Sequence, residues 1–281
     1  MNSITLNCNA KINLSLDVIG KRSDGYHNIE LIFLEINLAD QVTVSLRDDG
    51  KINLICSDST LPTDDRNIAY KAAVTFFYEY GKNYGADIIL KKNIPHGAGL
   101  AGGSADAAGV LKSLNTLLSC PFSKETLMRL GAKLGADVPF CITGGCAFAE
   151  GIGEILTPLP KPVGLYYVLV KPEQSISTAY VYQNLDLNNR PDTLNVRNVA
   201  NAIKLNDRAS LYKNAGNIME SVTAVKYPII NEIKAELEKN GSKKALMSGS
   251  GTTVFGIFED FSTAKNAVGI LKKSYKNVYL V

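Results

Sequence analysis

A glycine-rich run, PHGAGLAGGS from Pro95 to Ser104, constrains this chain more than any other stretch of its sequence. It follows a predicted strand, Ala86–Leu90, and leads into a helical pattern that begins at Ser104. Glycines let backbone N–H groups approach a phosphate closely, and the N-terminus of the following helix adds partial positive charge. A tight turn would explain one pair of glycines, but four glycines in seven residues before a helix favour a phosphate-binding loop.

The residues on either side of the glycine run exclude the better-known kinds of phosphate-binding loop. The spacing from Gly97 to Gly102 matches the dinucleotide fingerprint, which requires a strand directly before it and an acidic residue ending a second strand about 20 residues later. Here a basic stretch, Lys91 to Pro95, intervenes, and the region around Glu125 has a helical pattern. The run also lacks the Lys-Ser/Thr ending of a Walker A loop, and protein-kinase catalytic motifs are absent. The lysine that neutralises the phosphate must therefore come from elsewhere in the chain.

Composition and charge exclude several other classes of protein. The 281 residues carry a net charge of only +3 with no basic stripe, which argues against a nucleic-acid binder. Five cysteines without paired spacing and only two histidines predict reduced thiols and no cysteine-based metal site. The N-terminus does not resemble a signal peptide, and no apolar stretch approaches the roughly 20 residues that cross a bilayer. We expect a cytoplasmic protein without nucleic-acid or membrane partners.

Hydrophobic spacing predicts a mixed α+β chain with no internal repeat and no strict βαβ alternation. A helix is expected over Asn67–Tyr80 with Gly81 as its stop, and another from Ser123 to Gly135 that Pro139 keeps from continuing. The segment TPLPKP from Thr157 is the best candidate for a domain boundary. Later predicted elements are the strand Leu165–Val170, the helices Val196–Lys204 and Pro228–Asn240, and the strand Val278–Leu280.

Three segments resemble, in the same order, the three motifs of the GHMP kinase superfamily, named for galactokinase, homoserine kinase, mevalonate kinase and phosphomevalonate kinase. They are AKINL from Ala10, PHGAGLAGGSADAAG from Pro95 and SGSGT from Ser248, and they span nearly the whole chain. The resemblance implies a two-domain GHMP kinase fold. Residues 1–158 would form an N-terminal ATP-binding domain that is ribosomal-protein-S5-domain-2-like. Residues 159–281 would form a C-terminal substrate-binding domain, a ferredoxin-like α/β sandwich.

Longer segments are similar to one branch of that superfamily. They are AKINLSLDVIGKRSDGYHNIE from Ala10, GADVPF around Asp137 and AFAEGIGE around Glu150. The resemblance implies that ATP, with Mg²⁺, phosphorylates the 2-hydroxyl of a cytidine diphosphate derivative of methylerythritol in the non-mevalonate isoprenoid pathway. We expect this small-molecule substrate as the partner of a monomer or weak homodimer. The chain departs mildly from the commonest loop pattern at Ala101, where glycine is frequent, and at Ala105, where serine is frequent.

Two charged residues in the matching motifs are the predicted catalytic pair. The resemblance makes Asp137 the group that accepts the proton of the acceptor hydroxyl or orients that hydroxyl, although an aspartate after glycine is also a common helix cap. Lys11 would supply the missing positive charge, holding Asp137 ionised and stabilising charge on the transferring group. Asn13 beside it would hydrogen-bond the substrate or orient the pair.

The resemblance assigns ATP to the glycine run and to the start of the preceding helix. Ser104 is expected to cap the following helix and is the one candidate protein ligand of Mg²⁺. A plain N-cap explains Asn67 as well as an adenine contact does. The predicted ATP-binding residues are Asn67, Pro95, Gly97, Ala98, Gly99, Leu100, Ala101, Gly102, Gly103 and Ser104.

The acceptor site is predicted chiefly from the dipeptide Tyr26-His27, which the resemblance places against the cytosine. Aromatic stacking and hydrogen bonds to base edges are how proteins hold an unpaired base. Tyr182 is the candidate for a second stacking wall, with Tyr180 as the alternative, and Phe33 would line the pocket unless it is simply a buried strand residue. The SGSGT segment would close near the substrate diphosphate or form a flexible hairpin. The predicted substrate-binding residues are Asn13, Tyr26, His27, Phe33, Tyr182, Ser248 and Gly249.

Two other functions compete with this interpretation. A different kinase of the superfamily, such as homoserine or mevalonate kinase, would not need the Tyr26-His27 dipeptide or an aromatic wall. A non-catalytic sensor that keeps the fold would be expected to lose the acid–base pair, yet Lys11 and Asp137 are both present. The sequence therefore favours a cytidyl-directed kinase.

Overall fold

The computed structural model describes residues 3–187 and 193–281. In these ranges the strands are β1 (Ser3–Lys21), β2 (His27–Arg47), β3 (Ile52–Cys56), β4 (Gly85–Lys91), β5 (Cys146–Glu150), β6 (Ile155–Leu159), β7 (Tyr166–Lys171), β8 (Lys244–Met247), β9 (Val254–Phe258) and β10 (Asn277–Leu280). The helices are α1 (Ile68–Tyr80), α2 (Gly102–Leu117), α3 (Lys124–Leu134), α4 (Val138–Thr143), α5 (Thr178–Gln183), α6 (Val196–Leu205), α7 (Arg208–Asn214), α8 (Glu220–Lys226), α9 (Ile229–Lys239) and α10 (Phe261–Leu271). None of them has the length and apolar character needed to cross a bilayer.

The chain divides into two compact units that are not contiguous in sequence. The first unit contains the residues up to Lys11 together with Glu35–His96 and Ala101–Gly144; the second contains Ile12–Leu34, Gly97–Leu100 and Gly145–Val281. Strands β1 and β2 therefore each contribute a part to both units. The expected boundary between residues 158 and 159 falls inside the edge strand β6, which pairs with β5 and tolerates a proline. That boundary stays a prediction.

In the first unit, the second part of β2 pairs antiparallel with β4, and β4 pairs parallel with β3. Helix α1 confirms the predicted start and stop signals. The side chain of Asn67 accepts a hydrogen bond from the Ala69 backbone N–H, and Gly81 ends the helix in the left-handed conformation. The buried residues of α1 recur at helical spacing, and α1 packs against α2 and α3.

Helix α2 begins two residues earlier than predicted, at Gly102. Ala101 occupies the position before it with φ +59°, and the Ala105 N–H bonds to the Ala101 carbonyl. No side chain caps this helix. The expected capping role of Ser104 is therefore wrong. The helix already begins after the left-handed Ala101, so Ser104 lies inside the first turn and not at the cap position.

The break expected before Pro139 is present. Ser123 caps α3 through the N–H of Thr126, and α3 ends at Leu134. The short helix α4 starts at Val138, with the proline in its first turn where a missing N–H costs nothing. Asp137 lies in the link between these two helices.

In the second unit, four strands form an antiparallel sheet in the order β10-β7-β9-β8. Numbered along the chain within this sheet, that order is fourth, first, third, second, which is the strand order of a ferredoxin-like sandwich and confirms the prediction. Helices α9 and α10 pack on the sheet through β9 and β7. The first part of β2 pairs separately with β5.

Candidate active site

The predicted catalytic residues of the first unit lie side by side. The Nζ of Lys11 is 3.5 Å from the Oδ2 of Asp137. The lysine side chain is 5% exposed, whereas the aspartate side chain is 33% exposed. A buried cation thus faces a carboxylate that solvent and small molecules can reach. Both residue roles remain predictions, but the pairing on which they depend is present.

Local backbone structure explains why this carboxylate is available. Asp137 stands at the cap position of α4, yet its side chain makes no capping hydrogen bond. Its backbone carbonyl accepts the Cys141 N–H at 3.1 Å, so the main chain alone joins the helix. The side chain of Asp137 instead forms an ion pair with Lys11, so a capping role does not explain this residue.

Ser104 lies close to the same link between α3 and α4. A side chain on Gly135, two residues before Asp137, would begin 4.0 Å from the Oγ of Ser104. Ser104 also lies in the first turn of α2, where the free N–H groups of a helix favour an anion. Asn67 differs, because its amide donates to the Pro62 carbonyl and accepts from Ala69. Both ends of that side chain have partners inside the protein, so the capping explanation suffices for it.

The part of the glycine run that belongs to the second unit is fixed against the SGSGT segment. Gly97 and Gly99 both adopt positive φ, which favours glycine. A side chain on Gly99 would begin 2.1 Å from the carbonyl oxygen of Ser248, a distance that no atom can occupy. The Thr253 N–H also donates to the Ala98 carbonyl at 3.3 Å. The close approach of two backbones is thus a reason for glycine here, beside any phosphate.

Ser248 joins all three motifs through one hydroxyl group. Its Oγ donates to the Gly99 carbonyl at 3.0 Å and accepts from the Asn13 N–H at 3.3 Å. The side chain is fully buried. The next residue, Gly249, has φ +57°, and a side chain there would begin 3.3 Å from the Asn13 Oδ1. The first and third motifs are therefore packed together, which a flexible hairpin would not provide.

A buried asparagine that sequence reasoning missed shapes the same turn. The Nδ2 of Asn217 donates to the carbonyls of Met247 and Gly249 at 2.7 and 2.8 Å, and its Oδ1 accepts from the Met219 N–H. Because every hydrogen-bonding group of the amide has a partner, the residue ties the SGSGT segment to the start of α8. Nothing in its sequence surroundings distinguishes it from a surface asparagine.

The structure brings together His27 and Tyr182, two of the residues predicted for the acceptor site, and their role there stays a prediction. Their rings stack with centroids 4.9 Å apart and an angle of 16° between planes. Tyr180, the alternative, is instead covered by the ammonium of Lys226 at 3.7 Å. Tyr26 is 61% exposed and available to a ligand. Tyr182, and not Tyr180, is therefore the tyrosine of α5 that contacts His27.

Phe33 and His27 occupy different environments. Phe33 is completely buried in β2, where it pairs with Ala147 across the sheet, so a core residue describes it better than a pocket wall. His27 is half-buried, and its pKa is lowered from the usual value by this burial and by the charge of Lys21. The imidazole is therefore neutral at pH 7, with one ring nitrogen able to donate and the other able to accept.

A second charged cluster in the first unit also escaped sequence reasoning. Lys92, directly after β4, donates to the carboxylates of Asp40 and Asp106. Asp106 lies in α2 among alanines, and a carboxylate on an otherwise apolar helical stripe is the signal that could have revealed it. The cluster adjoins the glycine run on its strand side.

No group of three or more histidine, cysteine or acidic side chains among the described residues forms a metal site. Mg²⁺ commonly takes most of its ligands from phosphate oxygens and water, with one or two from protein. The partly exposed carboxylate of Asp137 and the start of α2, which no side chain caps and where Ser104 lies, fit such a nucleotide-borne ion. The five cysteines are all free thiols.

Comparisons with known proteins agree with these motifs. Residues 67–145 match the family model described as GHMP kinases N terminal domain, and residues 199–277 match GHMP kinases C terminal. A 4-diphosphocytidyl-2-C-methyl-D-erythritol kinase of Alkaliphilus metalliredigens is 46% identical over 281 residues, covering 100% of this chain and 97% of its own.

Solved structures extend the likeness to the fold. A crystal structure of 4-(cytidine 5'-diphospho)-2C-methyl-D-erythritol kinase aligns with a TM-score of 0.83 and 31% identity, covering 99% of this chain and 98% of that one. A homoserine kinase from Cytophaga hutchinsonii aligns with a TM-score of 0.81 at 21% identity, covering 100% and 94%, and shows the fold alone. The whole-length identity, and not the fold, therefore distinguishes the branch. This chain belongs to the GHMP kinases, in the family of the 4-diphosphocytidyl-2-C-methyl-D-erythritol kinases.

Proposed function

We propose that this protein transfers the γ-phosphoryl group of ATP to the 2-hydroxyl of 4-diphosphocytidyl-2-C-methyl-D-erythritol in the non-mevalonate isoprenoid pathway. GHMP kinases are ATP-dependent, and the relative that is 46% identical over the whole chain carries this substrate in its name. The observation that carries the proposal in the structure is the pair of Lys11 and Asp137, whose charged atoms lie 3.5 Å apart.

The chemistry assigned to this pair is an in-line displacement. The 2-hydroxyl oxygen forms a bond to the γ-phosphorus, the bond from that phosphorus to the β–γ bridging oxygen breaks, and ADP leaves. Asp137 accepts the hydroxyl proton or holds the hydroxyl in line, and its partial exposure to small molecules supports either role. Lys11 stabilises negative charge on the transferring group, and its burial strengthens that interaction.

The glycine run binds the ATP phosphates through backbone N–H groups and the N-terminus of α2. The left-handed residues Gly97, Gly99 and Ala101 give the run a turned backbone suited to this contact. Ser104 and Asp137 would lie near the Mg²⁺ that accompanies the nucleotide, and the ion would supply charge neutralisation for the phosphates.

The cytidine of the acceptor binds at the aromatic side chains of the second unit. His27 and Tyr182 already lie parallel, and the exposed Tyr26 offers another ring face. A neutral His27 is able to accept a hydrogen bond from the base, which a protonated ring cannot do. We further propose that the enzyme works in the cytoplasm as a monomer or weak homodimer, without nucleic-acid or membrane partners.

A comparison of acceptors tests this function. Release of ADP from ATP is measured with 4-diphosphocytidyl-2-C-methyl-D-erythritol, with homoserine and with mevalonate, each at several concentrations. Turnover is expected with the cytidyl compound and not with the other two. Turnover with homoserine or mevalonate alone would overturn the assignment, and no turnover with any of them would support the non-catalytic sensor.

A further inference from the structure

The cluster of Lys92, Asp40 and Asp106 connects three separate segments of the first unit. Asp40 belongs to β2, Lys92 follows β4, and Asp106 lies in the second turn of α2. The lysine ammonium donates to one oxygen of each carboxylate. Its side chain is 9% exposed, and those of the aspartates are 0% and 4% exposed. One buried lysine thus holds the strand end and the helix together.

The same cluster holds the backbone that enters the glycine run. The second oxygen of Asp40 accepts the N–H groups of Asn93 and Ile94 at 2.6 and 2.9 Å. A carboxylate that accepts two backbone N–H groups and a lysine is strongly orienting, since each of these is a charge-assisted hydrogen bond. The two residues before Pro95 are therefore fixed in position.

The other end of the run meets this fixed segment. A side chain on Gly102, the first residue of α2, would begin 3.0 Å from the Cγ2 of Ile94 and 3.6 Å from the Oδ2 of Asp40. The entry to the glycine run and the start of α2 therefore pack against each other, and Asp106 is the helix's own anchor to Lys92. Both ends of the run depend on the cluster.

Burying these three charged groups carries a desolvation penalty that an apolar cluster would not carry. Two carboxylates share one ammonium, and Asp106 Oδ1 has no hydrogen-bond partner among the described residues. Burial raises the pKa of Asp106 to about 7, although Lys92 acts in the opposite direction. Replacing a buried ionic group by well-packed apolar residues is often stabilising. Stability alone therefore does not explain why this cluster is charged.

We propose that Lys92, with Asp40 and Asp106, is a positioning residue that sets the geometry of the glycine run and thereby the affinity for ATP. This rests on the proposed function, in which the run holds the ATP phosphates. The cluster touches no reacting atom in this assignment. Its loss therefore weakens ATP binding while leaving acceptor binding unchanged.

The test measures the Kd of a non-hydrolysable ATP analogue and of the cytidyl acceptor by calorimetry, at a temperature where circular dichroism shows each variant folded. Lys92→Met, which keeps the side-chain length and removes the charge, is expected to weaken analogue binding at least tenfold and to leave acceptor binding within twofold. Lys244→Met is the matched control, because Lys244 is a half-buried lysine of β8 outside the site, and both constants should stay within twofold. Unchanged analogue binding in folded Lys92→Met overturns the proposal.

A pair of variants at Asp106 separates positioning from a structural role. Asp106→Asn keeps an oxygen for Lys92 and is expected to hold the analogue Kd within threefold, whereas Asp106→Leu removes it and should weaken binding about tenfold. A purely structural role would lower the free energy of unfolding in both without this difference in Kd. If Lys92→Met fails to fold, unchanged analogue binding in folded Asp106→Leu still overturns the proposal, because the cluster would then be broken without any effect on the run. Analogue binding needs no acceptor, so these results stand even if the acceptor assignment fails.

Discussion

The hydroxyl of Ser248 donates a hydrogen bond of 3.0 Å to the carbonyl of Gly99, a residue 149 positions earlier in the chain. The carbonyl oxygen of the same serine lies where a side chain on Gly99 would begin. The glycine run and the SGSGT segment are therefore complementary in shape, and the protein itself imposes a requirement for glycine at position 99.

Gly99→Ala is expected to destabilise the protein by about 3 kcal/mol, because the new methyl group meets a backbone oxygen at a positive φ. Urea unfolding followed by circular dichroism measures this change. Gly20→Ala is the control, since Gly20 has no heavy atom within 4 Å of the new group and its φ is not positive. Equal stability of the two variants would contradict the close contact with Ser248.

Ala101→Gly is expected to stabilise the protein by up to about 1 kcal/mol, because Ala101 has φ +59° and glycine adopts this conformation without strain. Ala105→Gly, four residues later inside α2, should destabilise by about 1 kcal/mol or more. Midpoints of urea unfolding compare the two variants. A loss of stability in Ala101→Gly would show that the left-handed alanine is not strained.

Asp137→Asn is expected to lower kcat by about 10² to 10⁴-fold, because the amide cannot accept the hydroxyl proton. The Kd of an ATP analogue should stay within about threefold, since the change is isosteric and the side chain caps no helix. Steady-state ADP release and calorimetry measure the two quantities. Asp48→Asn, on an exposed turn, serves as the control with unchanged kcat. Full turnover in Asp137→Asn would remove this residue from the mechanism.

Tyr182→Ala is expected to raise the KM for the cytidyl acceptor about tenfold, because stacking on a base is worth about 1–3 kcal/mol. Tyr182→Phe keeps the ring and should remain within about threefold. Tyr180→Ala is the matched control two residues away, where the ring is covered by Lys226 and not by His27. A larger effect at Tyr180 than at Tyr182 would reverse the assignment of the stacking wall.

Acceptor binding is expected to weaken at acid pH through His27. Burial and the nearby Lys21 lower the pKa of this histidine below its usual value, so the ring is neutral at pH 7 and gains a proton only at acid pH. The KM for the cytidyl acceptor should therefore be constant from about pH 7 to 8 and rise as the pH falls into the acid range where the ring gains its proton. In His27→Gln the KM should be higher and independent of pH over this range. The same acid rise in that variant would assign the titration to another group.

Much of the fold and of the site was predictable because the signals are local. Asn67 and Gly81 mark the ends of α1, and Pro139 separates α3 from α4, through hydrogen bonds and steric limits that act within a few residues. The start of α2 was predicted two residues too late, because Ala101 adopts a left-handed conformation that an alanine side chain does not signal.

By itself, the sequence determined the clustering of glycines before a helix, which predicts a phosphate-binding loop, and the presence of a lysine and an aspartate, Lys11 and Asp137, suited to phosphoryl transfer. Only the tertiary structure decided that Tyr182 meets His27, and that Lys92 bridges two buried carboxylates beside the run. The physical reason is the separation along the chain over which each interaction acts. Backbone preferences depend on near neighbours, whereas these contacts depend on how segments far apart in the chain are packed by burial of the apolar core.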